Sequence, residues 1–84
     1  MGFFILIKAK REDGRVLDET ILEFKSAATQ AKIEKEISLA QNSMAHYLNL
    51  KNLIFSYQYM GSEREAKKSQ MWSIYGKGHY VYIK

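Results

Sequence analysis

Hydrophobic and polar positions follow a strand-like alternation in the first quarter of this chain. Phe3 to Lys10 is rich in β-branched and aromatic residues, and Val16 to Phe24 reads as a second strand after Asp13-Gly14. Asp-Gly is a strong hairpin signal, because a tight turn needs residues that tolerate a positive φ. The pattern therefore predicts a β-hairpin at the start of the chain.

The alternation also predicts the pairing of the two strands. A two-residue loop at Asp13-Gly14 places Phe3 opposite Phe24, Ile5 opposite Leu22 and Ile7 opposite Thr20 on one face. The other face pairs Phe4 with Glu23, Leu6 with Ile21 and Lys8 with Glu19. The first face is more apolar and is expected to be the core. Lys8 and Glu19 are expected to form a cross-strand ion pair.

A helical period follows the hairpin. Ser26 is the predicted N-cap and Asn49 the predicted left-handed C-terminal residue. Between them the apolar positions recur every three or four residues, at Ile33, Ile37, Ala40, Met44, Tyr47 and Leu48. Such a stripe is typical of a helix with one buried side. We expect one long helix lying across a face of the sheet.

The second half of the chain returns to alternation. Residues 53–60 predict a strand with Phe55, Tyr57 and Tyr59 on one face, and the polar residues 61–70 predict a loop. Residues 71–84 allow two interpretations. Gly76-Lys77-Gly78 closes a hairpin between 71–75 and 79–84, which we favour, or the glycines mark a bulge in one long strand.

These elements predict a single α+β domain over residues 1–84. The expected sheet is antiparallel, with four strands or five, in the order β-β-α-β-β, and the helix packs on one face of it. A chain of 84 residues fits one domain. It has no cysteine, which excludes disulfides and thiolate metal sites, so apolar burial must stabilise the fold.

Composition narrows the class of protein. The apolar share of 46% and the charged share of 26% are ordinary for a globular chain. The longest fully apolar run, residues 3–7, is far short of the roughly 20 residues of a membrane helix. We expect a cytoplasmic protein with no membrane partner. Its small size, lack of cysteine and bias toward Lys and Ile suit an accessory or inhibitory protein of bacterial or phage type.

The chain has more apolar positions than one helix covers. Phe4, Leu6 and Ile21 are expected to point away from the helix, and contiguous exposed apolar residues usually indicate a partner. Three explanations compete: the C-terminal segment covers this face, a second copy covers it, or it binds a ligand or macromolecule. We favour a second copy slightly. The predicted protein interface consists of Phe4, Leu6, Ile21, Tyr57 and Tyr59.

The net charge of +4 lies entirely in residues 50–84, since residues 1–26 and 27–49 each carry balanced charges. Cations bind phosphates and flat rings stack on bases. The alternative hypothesis is therefore DNA or RNA binding. Its predicted site consists of Arg64, Lys67, Lys68, Trp72, Lys77, Tyr80, Tyr82 and Lys84.

Sequence patterns of catalysis are lacking. His46 and His79 are far apart in the chain, and no nucleophile elbow or P-loop motif is present. Neither histidine has a carboxylate at a metal-ligand spacing. The sequence predicts no catalytic residues, no metal and no cofactor. It indicates a small non-enzymatic module that binds another protein or a second copy of itself.

Overall fold

A computed structural model describes residues 2–68 and 78–84 of the chain. The elements are β1 Phe3–Lys10, β2 Val16–Phe24, α1 Gln30–Leu48, β3 Ile54–Met60, α2 Glu63–Ala66 and β4 His79–Tyr82. The predicted β-β-α-β-β order is confirmed, and the short helix α2 is an addition to it. The predicted strand 71–75, with Trp72, and the loop residue Lys77 lie outside the described residues.

The β1–β2 hairpin has the predicted register but a different loop. Phe3 lies opposite Phe24, and the pairing continues in step to Ala9 and Asp18. The predicted two-residue loop is wrong: the N–H of Gly14 donates to the carbonyl of Arg11, and a three-residue loop closes with Gly14 at φ 87°. The irregularity between Ala9 and Lys10 absorbs the extra residue, so the predicted faces are preserved.

The sheet is mixed, which corrects the antiparallel prediction. Its strand order is β3-β1-β2-β4, and β4 runs parallel to β2 while the other pairs are antiparallel. The physical reason lies in the connection between β3 and β4. Strand β3 pairs with β1 and therefore runs in the same direction as β2, and a crossover to the free edge of β2 then lets β4 run in that direction as well. Residues 61–78 between them exceed the roughly dozen residues that a crossover connection needs.

Helix α1 begins later than predicted and ends where predicted. The N-cap is Thr29, whose hydroxyl accepts a hydrogen bond from the N–H of Lys32 at 3.2 Å, so the prediction of Ser26 is wrong. Residues 25–28 form a turn instead, closed by a bond from the N–H of Ala28 to the carbonyl of Lys25. Asn49 adopts the left-handed conformation at the C-terminus, which confirms that prediction.

The main core lies between α1 and the predicted core face of the hairpin. Ile5, Ile7 and Leu22 of the sheet are buried there against the helix. From the helix, Ile33, Ile37 and Met44 contribute buried side chains. The predicted ion pair on the opposite face is present, with Lys8 Nζ 3.9 Å from Glu19 Oε2.

Helix α2 corrects the prediction of a loop over residues 61–70. The hydroxyl of Ser62 accepts a hydrogen bond from the N–H of Glu65 at 3.1 Å, which caps the helix. Ala66 is fully buried against Leu6 and Ile21. The sheet therefore has helix α1 on one face and helix α2 on the other.

Candidate interaction surface

The helix side of the sheet is only partly covered, because α1 lies over β1 and β2. Four strands spaced about 4.8 Å apart span about 14 Å, whereas a helix with its side chains is about 10–12 Å wide. One helix therefore leaves residues of the two edge strands exposed on its own side. We call these regions the β3 flank (Phe55, Tyr57 and Tyr59) and the β4 flank (His79 and Val81). Ile83, just after β4, is instead buried in the main core.

The β3 flank is an exposed aromatic row. Tyr57 and Tyr59 remain 54% and 53% exposed, whereas Phe55 is half-buried against the core. The ring of Tyr59 stacks on Phe3 at a centroid distance of 6.0 Å, and Phe3 stacks on Phe24 at 5.2 Å. The exposed Tyr59 thus continues an aromatic stack that begins in the core.

The β3 strand also offers a free sheet edge. Within the described part of the chain, β3 pairs only with β1, so one side of its backbone has no strand beside it. Natural edge strands are commonly protected by a charged residue, a proline or a bulge. Residues 54–60 contain neither a charged residue nor a proline, and their pairing with β1 is regular. Within the described strand, this edge therefore has no charged residue, proline or bulge that would hinder pairing with another strand.

The β4 flank forms a shallow groove beside α1 with a volume of about 270 Å³. Its walls are mostly apolar, with Leu39 and Val81 exposed at its rim. Thr20 and Met44 lie in its floor, where the hydroxyl of Thr20 donates to the sulfur of Met44 at 3.5 Å. At this size the groove falls just below the range typical of small-molecule pockets, about 300–1,000 Å³.

A polar cluster stands beside this groove, and sequence reasoning missed it. Oδ2 of the buried Asp18 accepts a hydrogen bond from the hydroxyl of Tyr47 and lies 3.1 Å from Nε2 of His79. The two rings lie 5.3 Å apart. Asp18 comes from β2, Tyr47 from α1 and His79 from β4, so one carboxylate holds three elements together.

The Asp18 cluster (Asp18, Tyr47 and His79) links three secondary-structure elements through polar contacts. Burial, followed by the hydrogen bond to Asp18 and its negative charge, raises the pKa of the Tyr47 hydroxyl well above its usual range. Tyr47 therefore stays a neutral donor. In a nucleophile–histidine–carboxylate triad the imidazole contacts a nucleophile, whereas here the phenol and the imidazole meet the same carboxylate oxygen. His46, the other histidine, is exposed near the end of α1.

The outer face of the sheet does not present the apolar surface expected from the sequence. Leu6 and Ile21 are 1% and 0% exposed, and Phe4 is half-buried beside them. Ala66 of α2 packs on this cluster, together with Met60 and Tyr80. The structure also separates these residues from Tyr57 and Tyr59, which lie on the helix side of the sheet. The five predicted interface residues therefore do not form one surface.

Tyr80 ties β4 to the outer face. Its hydroxyl donates to a carboxylate oxygen of Glu23 and lies 3.0 Å from Oε1 of Glu63. Burial, then the bonds to Glu23 and Glu63, raise the pKa of Tyr80 above its usual range. The hydrogen bonds from Lys67 and Tyr80 lower the pKa of the exposed Glu63. The network joins α2, β2 and β4.

The basic residues of the nucleic-acid hypothesis are partly neutralised. Lys67 Nζ lies 3.1 Å from Glu63 and 5.4 Å from the ring centroid of Tyr80. Arg64 and Lys68 are exposed, but Arg64 shares α2 with two carboxylates, Glu63 and Glu65. The remaining described residues of this set are also separated: Tyr82 is exposed on the outer side of β4, and Lys84 borders a pocket near the start of α1.

The described ranges 2–68 and 78–84 contain no group of three or more His, Asp or Glu side chains arranged to hold a metal ion. They also contain no helix with the length and apolar character needed to cross a membrane. The cytoplasmic location and the absence of a cofactor stay predictions from the sequence.

No protein-family model, curated protein or solved structure matches this chain. Of the surfaces described, the β3 flank combines the greatest aromatic exposure with a free backbone edge.

Proposed function

We propose that this chain is a non-enzymatic protein-binding module that takes a partner polypeptide along the free edge of β3. The observation that carries the proposal is a pair of half-exposed tyrosines, Tyr57 and Tyr59, on an uncharged edge strand. In strand addition, backbone hydrogen bonds supply affinity and alternate side chains supply specificity. An accessory or inhibitory role suits a module that acts by covering part of its partner.

The exposed parts of Tyr57 and Tyr59 are large enough to contribute substantially to the free energy of binding. A tyrosine buries about 150–250 Å² when fully covered, so covering the exposed half of Tyr57 or Tyr59 removes about 100 Å² from water. At about 25 cal/mol per Å², each side chain contributes about 2–3 kcal/mol before the entropic cost of association. Tyrosine is also among the residues most often found at interface hot spots.

Charge favours a protein partner over nucleic acid. The β3 flank has no cation to meet a phosphate, and the cations on α2 lie among carboxylates. Nucleic-acid binding depends on neutralising phosphates, which makes a locally balanced surface a poor binder. A weakly charged aromatic surface is instead typical of the centre of a protein interface.

The proposal is tested by placing a charge on the β3 edge. Tyr57→Lys and Tyr59→Lys are each expected to weaken assembly with a purified partner, whether a second copy or a protein first found by affinity capture, by at least tenfold. Tyr82→Lys is the matched control, because Tyr82 is equally exposed at 52% but lies on the other edge strand. Calorimetry or light scattering measures the affinity, and circular dichroism verifies folding. Equal binding by all three variants would refute the proposal.

A further inference from the structure

We infer that the β3 edge binds a second copy of this chain, antiparallel to the first. The two copies are related by a two-fold axis that is perpendicular to the sheet and passes midway between their Tyr57 residues, here called the axis through Tyr57. The inference rests on the proposed function and names its partner. Its starting point is the length of the strand. β3 has seven residues, Ile54–Met60, so its central residue is Tyr57. With the axis centred there, every residue of β3 in one copy lies opposite a residue of β3 in the other copy.

The sequence of β3 is complementary to itself in this arrangement. Tyr57 faces Tyr57 of the second copy, Phe55 faces Tyr59, Ser56 faces Gln58 and Ile54 faces Met60. Directly opposed side chains are the units that stabilise an antiparallel pair, and aromatic pairs are among the more favourable ones. No two like charges meet, because the strand carries no charged residue. A heterologous partner would not need this symmetry.

The faces of the two sheets also match. A two-fold axis perpendicular to the sheet keeps the helix side of both copies on the same side. Residues opposed across the axis through Tyr57 differ by an even number, so each aromatic residue of the β3 flank meets another. A shift by one residue would instead oppose tyrosines with the polar residues of the other face.

The two helices do not collide in this dimer. Because α1 lies over β1 and β2, its axis is about one and a half strand spacings from β3. The helices of the two copies are then about four spacings apart, on the order of 19 Å. That separation leaves a channel between them for one layer of side chains. The two β3 flanks form its floor.

The size of the contact indicates a reversible dimer. Half-exposed Ile54, Tyr57 and Tyr59 together contribute about 300 Å² per copy, and the backbone edges add more. This stays below the roughly 800 Å² per partner of a standard stable interface. We therefore expect dissociation constants in the micromolar range, on the order of 1–100 µM.

Complementation at the axis tests the register directly. Sedimentation velocity of the wild-type chain should show a shift from 9.8 kDa toward twice that mass as concentration rises. Tyr57→Lys and Tyr57→Asp should each remain monomeric, because like charges would face each other across the axis. An equal mixture of the two should recover dimers, since an ammonium group then faces a carboxylate. Tyr82→Lys should behave as the wild type.

The outcomes separate this inference from the proposed function. A wild-type chain that stays monomeric to about 1 mM overturns the second-copy inference. If a different purified protein then binds and Tyr57→Lys abolishes that binding, the proposed function stands without it. Dimers that form in the wild type but are not recovered in the mixture overturn the axis through Tyr57. Dimers that are insensitive to both substitutions overturn the β3 edge altogether.

Discussion

Two apolar regions of this molecule look equivalent in the sequence and differ in the structure. The outer-face cluster, which contains Leu6 and Ile21, is closed by Ala66 of α2. The β3 flank, with Tyr57 and Tyr59, has no such cover within the described residues. The difference shows that an excess of apolar positions does not by itself identify an interface. What matters is whether the chain has another segment to place over them.

The two regions also differ in the kind of residue they carry. The fully buried residues of the outer-face cluster, Leu6, Ile21 and Ala66, have aliphatic side chains, which carry no polar atoms and gain by complete burial. The β3 flank uses tyrosines, whose hydroxyl groups tolerate water while their rings remain available for contact. Tyrosine at an exposed edge is thus compatible with a chain that is stable alone and able to pair.

The largest contrast is expected when the same carboxylate is introduced into each region. Leu6→Asp buries an unpaired charge under α2 and should destabilise the fold by about 4 kcal/mol or more, enough to unfold a domain of this size. Tyr57→Asp places the charge in water and should change the unfolding free energy by less than about 1 kcal/mol. Urea denaturation followed by circular dichroism measures both.

A small effect of Leu6→Asp would mean that the outer face is open, as the sequence alone suggested. A large effect of Tyr57→Asp on the isolated monomer would mean that the β3 flank is part of the core. Measuring both variants at low protein concentration keeps self-association out of the comparison.

Local signals account for the parts of the fold that the sequence predicts well. The alternation around Asp13-Gly14 gives the register of β1 and β2, and the helical period gives the buried face of α1. The bulge near Ala9 preserved that register although the loop had a different length. Asn49 ends α1 as expected, but Thr29 rather than Ser26 begins it. Serine and threonine are both favoured N-cap residues, so residue type alone does not locate the start of the helix.

The parts that sequence reasoning missed depend on pairs that are distant in the chain. The parallel pairing of β2 and β4 has no turn signal, and the Asp18 cluster joins residues from three separate elements. Helix α2 is too short to show a hydrophobic period. Its one local signal is the spacing of Ser62 and Glu65, typical of a helix N-terminus. That signal could have predicted a short helix available to pack on the outer face of the sheet.

Alkaline pH should weaken the attachment of β4 to the rest of the fold, which depends on two tyrosine hydroxyl groups. The pKa values of Tyr47 and Tyr80 are both raised, since burial and nearby carboxylates favour the neutral phenol. The unfolded chain then loses these protons first, at its ordinary value of about 10. The contribution of these two tyrosines to stability should be constant below about pH 10 and decrease as the pH rises further.

Thermal unfolding at a series of pH values measures this effect. Tyr80→Phe should lower stability by about 1 kcal/mol at neutral pH, through the lost hydrogen bonds, and should reduce the alkaline decrease. Tyr82→Phe, on the same strand, is the matched control and should retain the decrease. An unchanged pH profile in both Tyr80→Phe and Tyr47→Phe would contradict the proposed anchoring of β4 by these hydroxyl groups.

The smallest expected effect on stability comes from destabilising α2, the helix that packs over the outer face of the sheet. Ser62→Ala removes the hydroxyl that accepts a hydrogen bond from the N–H of Glu65, and loss of an N-cap typically costs about 1 kcal/mol. Because α2 has only four residues, this loss should increase hydrogen exchange at residues 63–66. Self-association through β3 should be unchanged, since the substitution is on the other face.

Ser26→Ala provides the control for this prediction. Ser26 is an exposed serine that the sequence favours as a helix cap, yet Thr29 holds that role in the structure. Its substitution should alter the unfolding free energy by less than about 0.5 kcal/mol. If Ser26→Ala is the more damaging of the two, the observed N-cap of α1 is wrong. If Ser62→Ala changes self-association, the covered face and the β3 edge are coupled rather than independent.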